Sequence, residues 1–402
     1  MIKVLHIVGG SPKNGAFKGA YILHKALCDL NVDSKILSDH DHKKNFKKGT
    51  IININNSTFK KLISKIYILI EKILKSLFLP IPRETFTLSL FGADITNLKE
   101  YKEADIIHFH WLSQGFISLN SLSKITKPTI WTMRDMWAFT GGSHYSMDFK
   151  NYEKGFISKV IQKFKRKIYL RNFRFVAVSN WIKNKANKSN VLKNHNIHKI
   201  DNNIDLDNFH QIPKEMARKN LKIFTKKKII LYGAQNPQSQ RKGWNIFIET
   251  LKKLDKSKYF LLIFGNFWSH KVLDDIGIEY KSLGFINDKK KLNNVYACAD
   301  LFVASSVEDA WPKTFAEAMF CGTPAVCFEN TSISEIVDHK VTGFIVEKFD
   351  SNKLLEGIDW LSEEVIRNKS ICNKARKKIF DFDPKKIAKK YIYLYEEILK
   401  NK

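Results

Sequence analysis

The stretch VEDAWPKTFAEAMFCGTPAVCF, residues 307–328, decides how the rest of the chain is read. It follows the apolar run DLFVASS (300–306) and ends in another, PAVCF (324–328), so it reads as strand, loop, helix, turn, strand. The helix is expected to begin near Pro312, whose fixed φ suits a first turn. Its middle, TFAEAMF, is apolar almost all round, the pattern of a buried helix, yet Glu317 sits at its centre. A buried carboxylate needs a partner, because desolvation disfavours its charge. Glu317 lies too far along the helix to cap it, whereas Glu308 and Asp309 fall in the loop at the strand's carboxyl end. Acids flanking a helix N-terminus fit a ligand that offers hydroxyls to the carboxylates and phosphate to the free amides, as a sugar nucleotide does.

Outward from this stretch, strand-like runs alternate with helical ones, the signature of parallel α/β architecture. The first half holds KVLHIV (3–8), DIIHFHW (105–111), TIWTM (129–133) and RFVAVS (174–179). The second holds KIILYG (228–233), FLLIFG (260–265), DLFVAS (300–305), PAVCF and GFIVE (343–347). A chain of 402 residues exceeds one ordinary core, and the polar, broken segment near 201–225 is the linker candidate. The expectation is two doubly wound, Rossmann-like domains facing across a cleft, residues 1–210 and 211–385. The last helix, 386–402, is expected to pack back on the first domain.

Ligands in such sheets bind beyond the carboxyl ends of the strands. There the loop GGSPKNGAFKGAYILHKAL (9–27) supplies Gly15 and Ala16 at the start of a helix, without the GxGxxG spacing of a dinucleotide site. An ordinary turn and cap explains it equally well. In GAQNPQSQRKGWNIFIETLKKL (233–254), Arg241, Lys242 and Gly243 enter an amphipathic helix, placing cations where a phosphate would sit; alone, a structural salt bridge explains them too. His108 and His110 alternate along one strand and share a face. With no third ligand in the pattern, packing and local hydrogen bonds are the reading, and no metal site is assigned.

Lys and Arg number 68 against 40 Asp and Glu, a net charge of +28 that favours polyanions without choosing among nucleic acid, anionic lipid and phosphorylated ligands. Five scattered cysteines form no CxxC pair and suit a reducing compartment. No secretory leader or membrane-spanning run is apparent, so a cytoplasmic protein is expected, peripheral on the inner face of the cell membrane. The peripheral assignment rests on KKLISKIYILIEKILKSLF (60–78). At 100° per residue its Lys60, Lys61, Lys65, Glu71, Lys72 and Lys75 share an arc of about 160°, with apolar residues filling the opposite side. A core-facing helix has the same pattern; the breadth of the apolar side and the lysines opposite it favour an anionic membrane. Residues 156–174 are a second, weaker candidate.

At this point the chain resembles the family 4 glycosyltransferases, retaining enzymes of the GT-B fold. EDAWPKTFAEAMFCGTPAVCF resembles their E-D-N-x-P-N-T-x-x-E-A-M-A-C-G-T-P-V-V-A-F region, and RKGWNIFIETLKKL their K-G-x-x-x-L-I-E-A-x-x-x-L. SLGFI (282–286), VSNWIKNKANKS (178–189) and IDNNIDLDNF also fit, and TMRDMWAFTGGSHY (132–145) resembles T-x-H-D-M-W-x-F-T-G-G-C-H-Y of a subgroup found in enzymes building bacterial surface polysaccharides. The resemblance implies a nucleotide-sugar donor, a glycan or lipid-linked acceptor and no required metal. It gives Glu317 the ribose hydroxyls and Asp309, with Glu308 beside it, the transferred sugar. Lys242 and Arg241 take the diphosphate, with Gly15 and Ala16 facing it from the other domain. Phe285 and Ile286 meet the base, and Gly265, Pro312, Lys313 and Thr314 complete the donor side. Arg134, Asp135, His144 and Tyr145 form the acceptor side.

Four positions depart from the pattern: Arg134 replaces a histidine, Asn202-Asn203 an Asn-Gly, Ala234 an arginine and Ser143 a cysteine. Arg134 either binds a phosphate or acidic group or marks lost activity. Two rivals remain: a polyanion-binding protein acting on nucleic acid, for which no recognised motif is present, and a non-catalytic scaffold of the same fold.

Overall fold

The computed structural model describes residues 1–11, 14–40, 50–78, 85–112, 114–147, 152–347 and 349–400. They form two compact units, Met1–Asn203 with Pro384–Lys402, and Ile204–Asp383. The boundaries fall earlier than the expected 210 and 385 because the polar segment taken as a linker is itself folded. Within it Lys214–Asn220 is a helix, and Lys214 and Arg218 hold Asp300 at 2.6 and 2.8 Å.

Unit 1 carries a parallel sheet of β1 (Lys3–Val8), β2 (Asp33–Ser38), β3 (Ile51–Asn53), β4 (Ile106–Trp111), β5 (Thr129–Met133), β6 (Phe173–Ala177) and β7 (Ile197–Lys199), ordered β3-β2-β1-β4-β5-β6-β7. The strands absent from the sequence reading are the short or polar ones, β2, β3 and β7. The helix Pro384–Lys400 belongs to this unit: Ile387, Tyr391, Leu394 and Tyr395 join Val4, Leu23, Leu27 and Ile106 in one core. Unit 2 repeats the plan with β8 (Lys228–Gly233), β9 (Tyr259–Phe264), β10 (Tyr280–Ser282), β11 (Leu301–Ala304), β12 (Ala325–Phe328) and β13 (Gly343–Val346), ordered β10-β9-β8-β11-β12-β13 and all parallel. Strand order reverses at β1/β4 and at β8/β11, the switch points beside which such sheets bind ligands.

The helix Thr58–Phe78 is turned from its expected orientation. Glu71, assigned to the lysine-rich face, is buried and accepts the Leu90 amide at 3.1 Å. Burial pushes its carboxyl up to about 7 against the pull of the Leu88–Leu90 amides. Tyr67 and Leu74, from the apolar side, and Ile68, from within the lysine-rich arc, flank this contact, so the helix rests on the protein across the border between its two faces. The far edge of the apolar side, Phe59, Leu62, Ile66, Leu69 and Ile73, remains 45–71 % exposed. Among the described residues no helix is long and apolar enough to cross a membrane.

Candidate functional site

In unit 2 the loops after β8 and β11 are stitched together. The Val307 and Glu308 amides donate to the Arg241 carbonyl at 2.9 and 3.2 Å, and the Ser305 hydroxyl donates to the Lys242 carbonyl at 2.8 Å. Gly243 makes this approach possible: its φ is +68°, and a Cβ there would stand 1.9 Å from the Ser305 oxygen. The stitching brings together Lys242, Arg241 and Asp309, which the sequence separates by 67 and 68 positions. Lys242 Nζ pairs directly with Asp309 Oδ2, and Arg241 Nη1 lies 3.9 Å from the same oxygen. Burial pushes the Asp309 carboxyl up, but Lys242 and Arg241 outweigh it and hold the group below its ordinary value. Glu308 is buried beside it.

A space of about 300 Å³, open solvent included, adjoins this triad, lined by Gly233, Ala234, Lys242, Ser305, Pro312 and Thr314. The helix Lys313–Phe320 starts at its edge with Pro312 as N-cap, no side-chain cap and no acid in the first turn. Glu317 is half-buried, and the hydroxyl of the fully buried Tyr296 donates to its Oε2 at 2.8 Å. Gly265, after β9, has φ +119° and accommodates the Ala234 carbonyl 1.9 Å from where a Cβ would be; its amide donates to the Gly284 carbonyl at 2.9 Å. Phe285 and Ile286 follow Gly284, with Phe285 exposed. The donor residues named for this half thus occupy neighbouring loops beyond the carboxyl ends of β8–β11.

In unit 1, Gly15 and Ala16 open the helix Gly15–Asp29. Arg134 follows β5; its Nε donates to His110 Nδ1 at 3.2 Å and its Nη1 to Asn202 Oδ1 at 2.5 Å. Asp135 turns away, accepting the Trp137 amide at 2.9 Å and meeting His144 Nδ1 at 2.6 Å. The Trp111 indole N–H also points at His144 Nδ1, at 3.2 Å, and His144 Nε2 lies 3.0 Å from the Thr87 hydroxyl. His144 is therefore buried with both nitrogens engaged, while Tyr145 is half-buried.

Comparison with known proteins follows this division. Residues 14–208 match the model of Glycosyltransferase Family 4, and residues 213–378 that of Glycosyl transferases group 1. The chain is a glycosyltransferase of the GT-B type. It is 24 % identical over 311 residues to an uncharacterized 41.2 kDa protein in the cps region of Klebsiella pneumoniae, covering 75 % of this chain and 84 % of that one. It is also 24 % identical over 188 residues to the N,N'-diacetylbacillosaminyl-diphospho-undecaprenol alpha-1,3-N-acetylgalactosaminyltransferase of Campylobacter jejuni, 47 % of this chain and 49 % of that one. Among solved structures, Anabaena HepE in complex with UDP-glucose superposes with a TM-score of 0.68 at 16 % identity, covering 99 % of this chain and 100 % of that one.

Three features of this glycosyltransferase escaped the sequence reading. The third histidine that the spacing of His108 and His110 did not provide is His6, which β1·β4 register places opposite His108. The imidazoles of His108 and His110 stack at 4.1 Å and 30°, and their nitrogens are taken by Tyr395, Thr132, His6 and Arg134. One ring nitrogen from each of the three histidines lies within 4.8 Å of the others, but Arg134 beside them repels a cation. Arg134, His110 and His6 form one hydrogen-bond chain, and His108 bonds Tyr395 and Thr132 instead. Second, Lys165, read only as part of a basic helix, is fully buried under the 134–145 loop and donates to the Thr140 carbonyl at 3.0 Å and to the Trp137 carbonyl. Third, Glu153 gathers the Gly141 amide, the Ser143 and Ser158 hydroxyls and Gln162 onto one carboxylate, bracing the glycine loop. The sequence signal for such a tie is a lysine in the apolar period of a helix, as Lys165 is between Ile161 and Ile168.

Proposed function

We propose that this glycosyltransferase moves a sugar from a nucleotide-sugar to a lipid-linked glycan acceptor with retention at the anomeric carbon, in surface polysaccharide biosynthesis. The observation that carries the reading is the Lys242–Arg241–Asp309 triad beside the uncapped start of the helix that bears Glu317. The donor's anomeric carbon–phosphate bond breaks as the carbon gains oxocarbenium character. Negative charge gathers on the leaving diphosphate and is met by Lys242, Arg241 and the helix amides. The acceptor oxygen bonds the same face, and its proton passes to the departing phosphate oxygen. Asp309 is held as the conjugate base of a low-pKa acid and is a poor general base; its part is to orient the cations and the sugar. Glu317 takes the ribose hydroxyls, and the plan asks for no metal. The undecaprenol-linked acceptor in the Campylobacter relative's name and the UDP-glucose bound by HepE support the substrate classes.

The test is a thermal-shift and hydrolysis screen across nucleotide-sugars. A donor at about 100 times its Kd contributes about 2.7 kcal/mol, or about 5–10 °C in Tm for a unit of this size. The shift should appear with one donor and vanish in Glu317→Ala. Stabilisation by DNA and by no nucleotide-sugar would defeat the proposal and favour a polyanion-binding protein.

The same reading places the enzyme on an anionic bilayer through Thr58–Phe78, whose exposed edge Phe59, Leu62, Ile66, Leu69 and Ile73 is bordered by exposed Lys61, Lys65 and Lys72. Each surface lysine contributes about 1 kcal/mol to binding anionic lipid, so changing these three to glutamate should weaken binding to phosphatidylglycerol vesicles by at least about a hundredfold. Unchanged co-sedimentation would refute the placement.

A further inference from the structure

Arg134 holds a charge that no acid among the described residues compensates. Its two hydrogen-bond partners, His110 Nδ1 at 3.2 Å and Asn202 Oδ1 at 2.5 Å, are neutral acceptors, and no carboxylate among the described residues ion-pairs with it. The nearby acids are committed elsewhere: Asp135 to His144 at 2.6 Å, and Asp201 to Lys199 at 2.5 Å. Even partial burial removes hydration from a guanidinium, and neutral hydrogen bonds do not return what an anion would.

The histidines beneath it give the arrangement a direction. Arg134 Nε–H donates to His110 Nδ1, so the neutral His110 carries its proton on Nε2, which faces His6 Nδ1 at 2.8 Å. His6 then carries its own proton on Nε2, a buried atom with no hydrogen-bond partner among the described residues. All three histidines are held neutral, since burial lowers each one's pKa well below 6.5. The chain thus fixes the guanidinium's orientation without adding a counter-charge.

A second element is shaped around the same group. Gly19 lies inside the helix Gly15–Asp29, and a Cβ there would stand 2.3 Å from Arg134 Nη1. Glycine in a helix interior is unfavourable relative to alanine, and here it leaves the guanidinium its place. With Nε and Nη1 engaged, Nη2 makes no hydrogen bond to the described residues, and the side chain is only part-buried.

We infer that Arg134 is an anion site in unit 1 and that acceptors bearing a phosphate or a carboxylate are the ones it selects. This rests on the transferase reading above and narrows its acceptor class. A planar guanidinium with a free edge suits a two-oxygen anion. A neutral acceptor would leave the charge uncompensated. A purely structural brace would explain Nε and Nη1, but neither the missing counter-ion nor the free edge.

The test uses the full chain with inorganic phosphate and glucuronate as probes, followed by calorimetry and thermal shift, in wild type, Arg134→Gln, Arg134→Lys and Lys242→Ala. Arg134→Gln should weaken one or both anions at least tenfold, Arg134→Lys should retain part of the binding, and Lys242→Ala should leave the Arg134 response in place. Because Arg134→Gln removes an uncompensated charge, its Tm without anion should not fall; a brace would lose stability without changing the anion response. Loss of the response in Lys242→Ala with retention in Arg134→Gln would assign the anion to unit 2 and overturn the inference. Nucleotide-sugar titration is the separate arm. Weakened donor binding in Arg134→Gln equal to that in Lys242→Ala would make the anion the donor's diphosphate and overturn the acceptor assignment. Absence of donor binding in wild type would instead sink the transferase reading itself.

Discussion

Lys242→Ala is expected to lower kcat by about 10²–10³, the usual loss when one preorganised group that meets developing charge is removed. Two effects add in this variant, and a second substitution separates them. Lys242 and Asp309 are each other's nearest opposite charge, with side chains 13 % and 9 % exposed. Removing the lysine leaves Asp309 with Arg241 at 3.9 Å and the Trp311 amide at 3.3 Å. Breaking such an enclosed pair costs about 3–5 kcal/mol, whereas replacing both members is closer to neutral. Lys242→Ala should therefore lose both Tm and turnover, while the pair Lys242→Met with Asp309→Asn should recover most of the Tm and none of the turnover. Recovery of activity together with Tm would mean that the triad matters only for folding, and the catalytic assignment would fall.

Unit 1 is expected to lose stability steeply on mild acidification. Burial lowers the pKa of His6, His108 and His110 well below 6.5 and that of His24 to about 4. In the unfolded chain all four take up protons near pH 6.5, while the folded unit refuses them. The stability they contribute is complete above 6.5 and declines as pH falls toward the folded values. Each can contribute up to about 1.4 kcal/mol per pH unit in that window. Glu71 opposes them: its pKa is raised to about 7, so its contribution is full below about 4.5 and is lost as pH rises through 7. Among the buried groups, four histidines against one glutamate leave up to about 4 kcal/mol per pH unit below pH 6, a large share of an ordinary domain's stability. The half-buried His195 and His198, also lowered by burial, act in the same sense. Amide exchange from pH 7.5 to 5 should show β1, β4 and β5 losing protection before β8, β11 and β12. Unit 2 contains none of these groups. His24→Asn should flatten the slope by about one third. A stability profile that is level from pH 7.5 to 5.5 would contradict neutral histidines in the core.

The donor loops were legible because their signals are local. The apolar run of β11, Pro312 at a helix start and glycines at 243 and 265 each act through one residue's own backbone. What they assemble was less legible. That Asp309 pairs with Lys242, rather than each waiting separately for a ligand, depends on β8 and β11 being neighbours across a reversal of strand order. The Thr58–Phe78 helix shows the same limit. Its period was plain in the residues, but period defines a face and not which edge of that face finds protein. The Leu88–Leu90 amides decided that, by drawing Glu71 inward and turning the helix until five large apolar side chains faced out.

By itself, the sequence determined the α/β alternation, the two-unit plan and the residues of the loops beyond β8 and β11, because strand period, proline and glycine act over a few bonds. Only the tertiary structure decided the setting of Arg134. His6, His110, Gly19 and Asn202 come from four separate segments, joined by parallel register and helix packing, and no spacing along the chain encodes their meeting. The physical reason is that charge compensation depends on distances in space, and chain position constrains those only within one element.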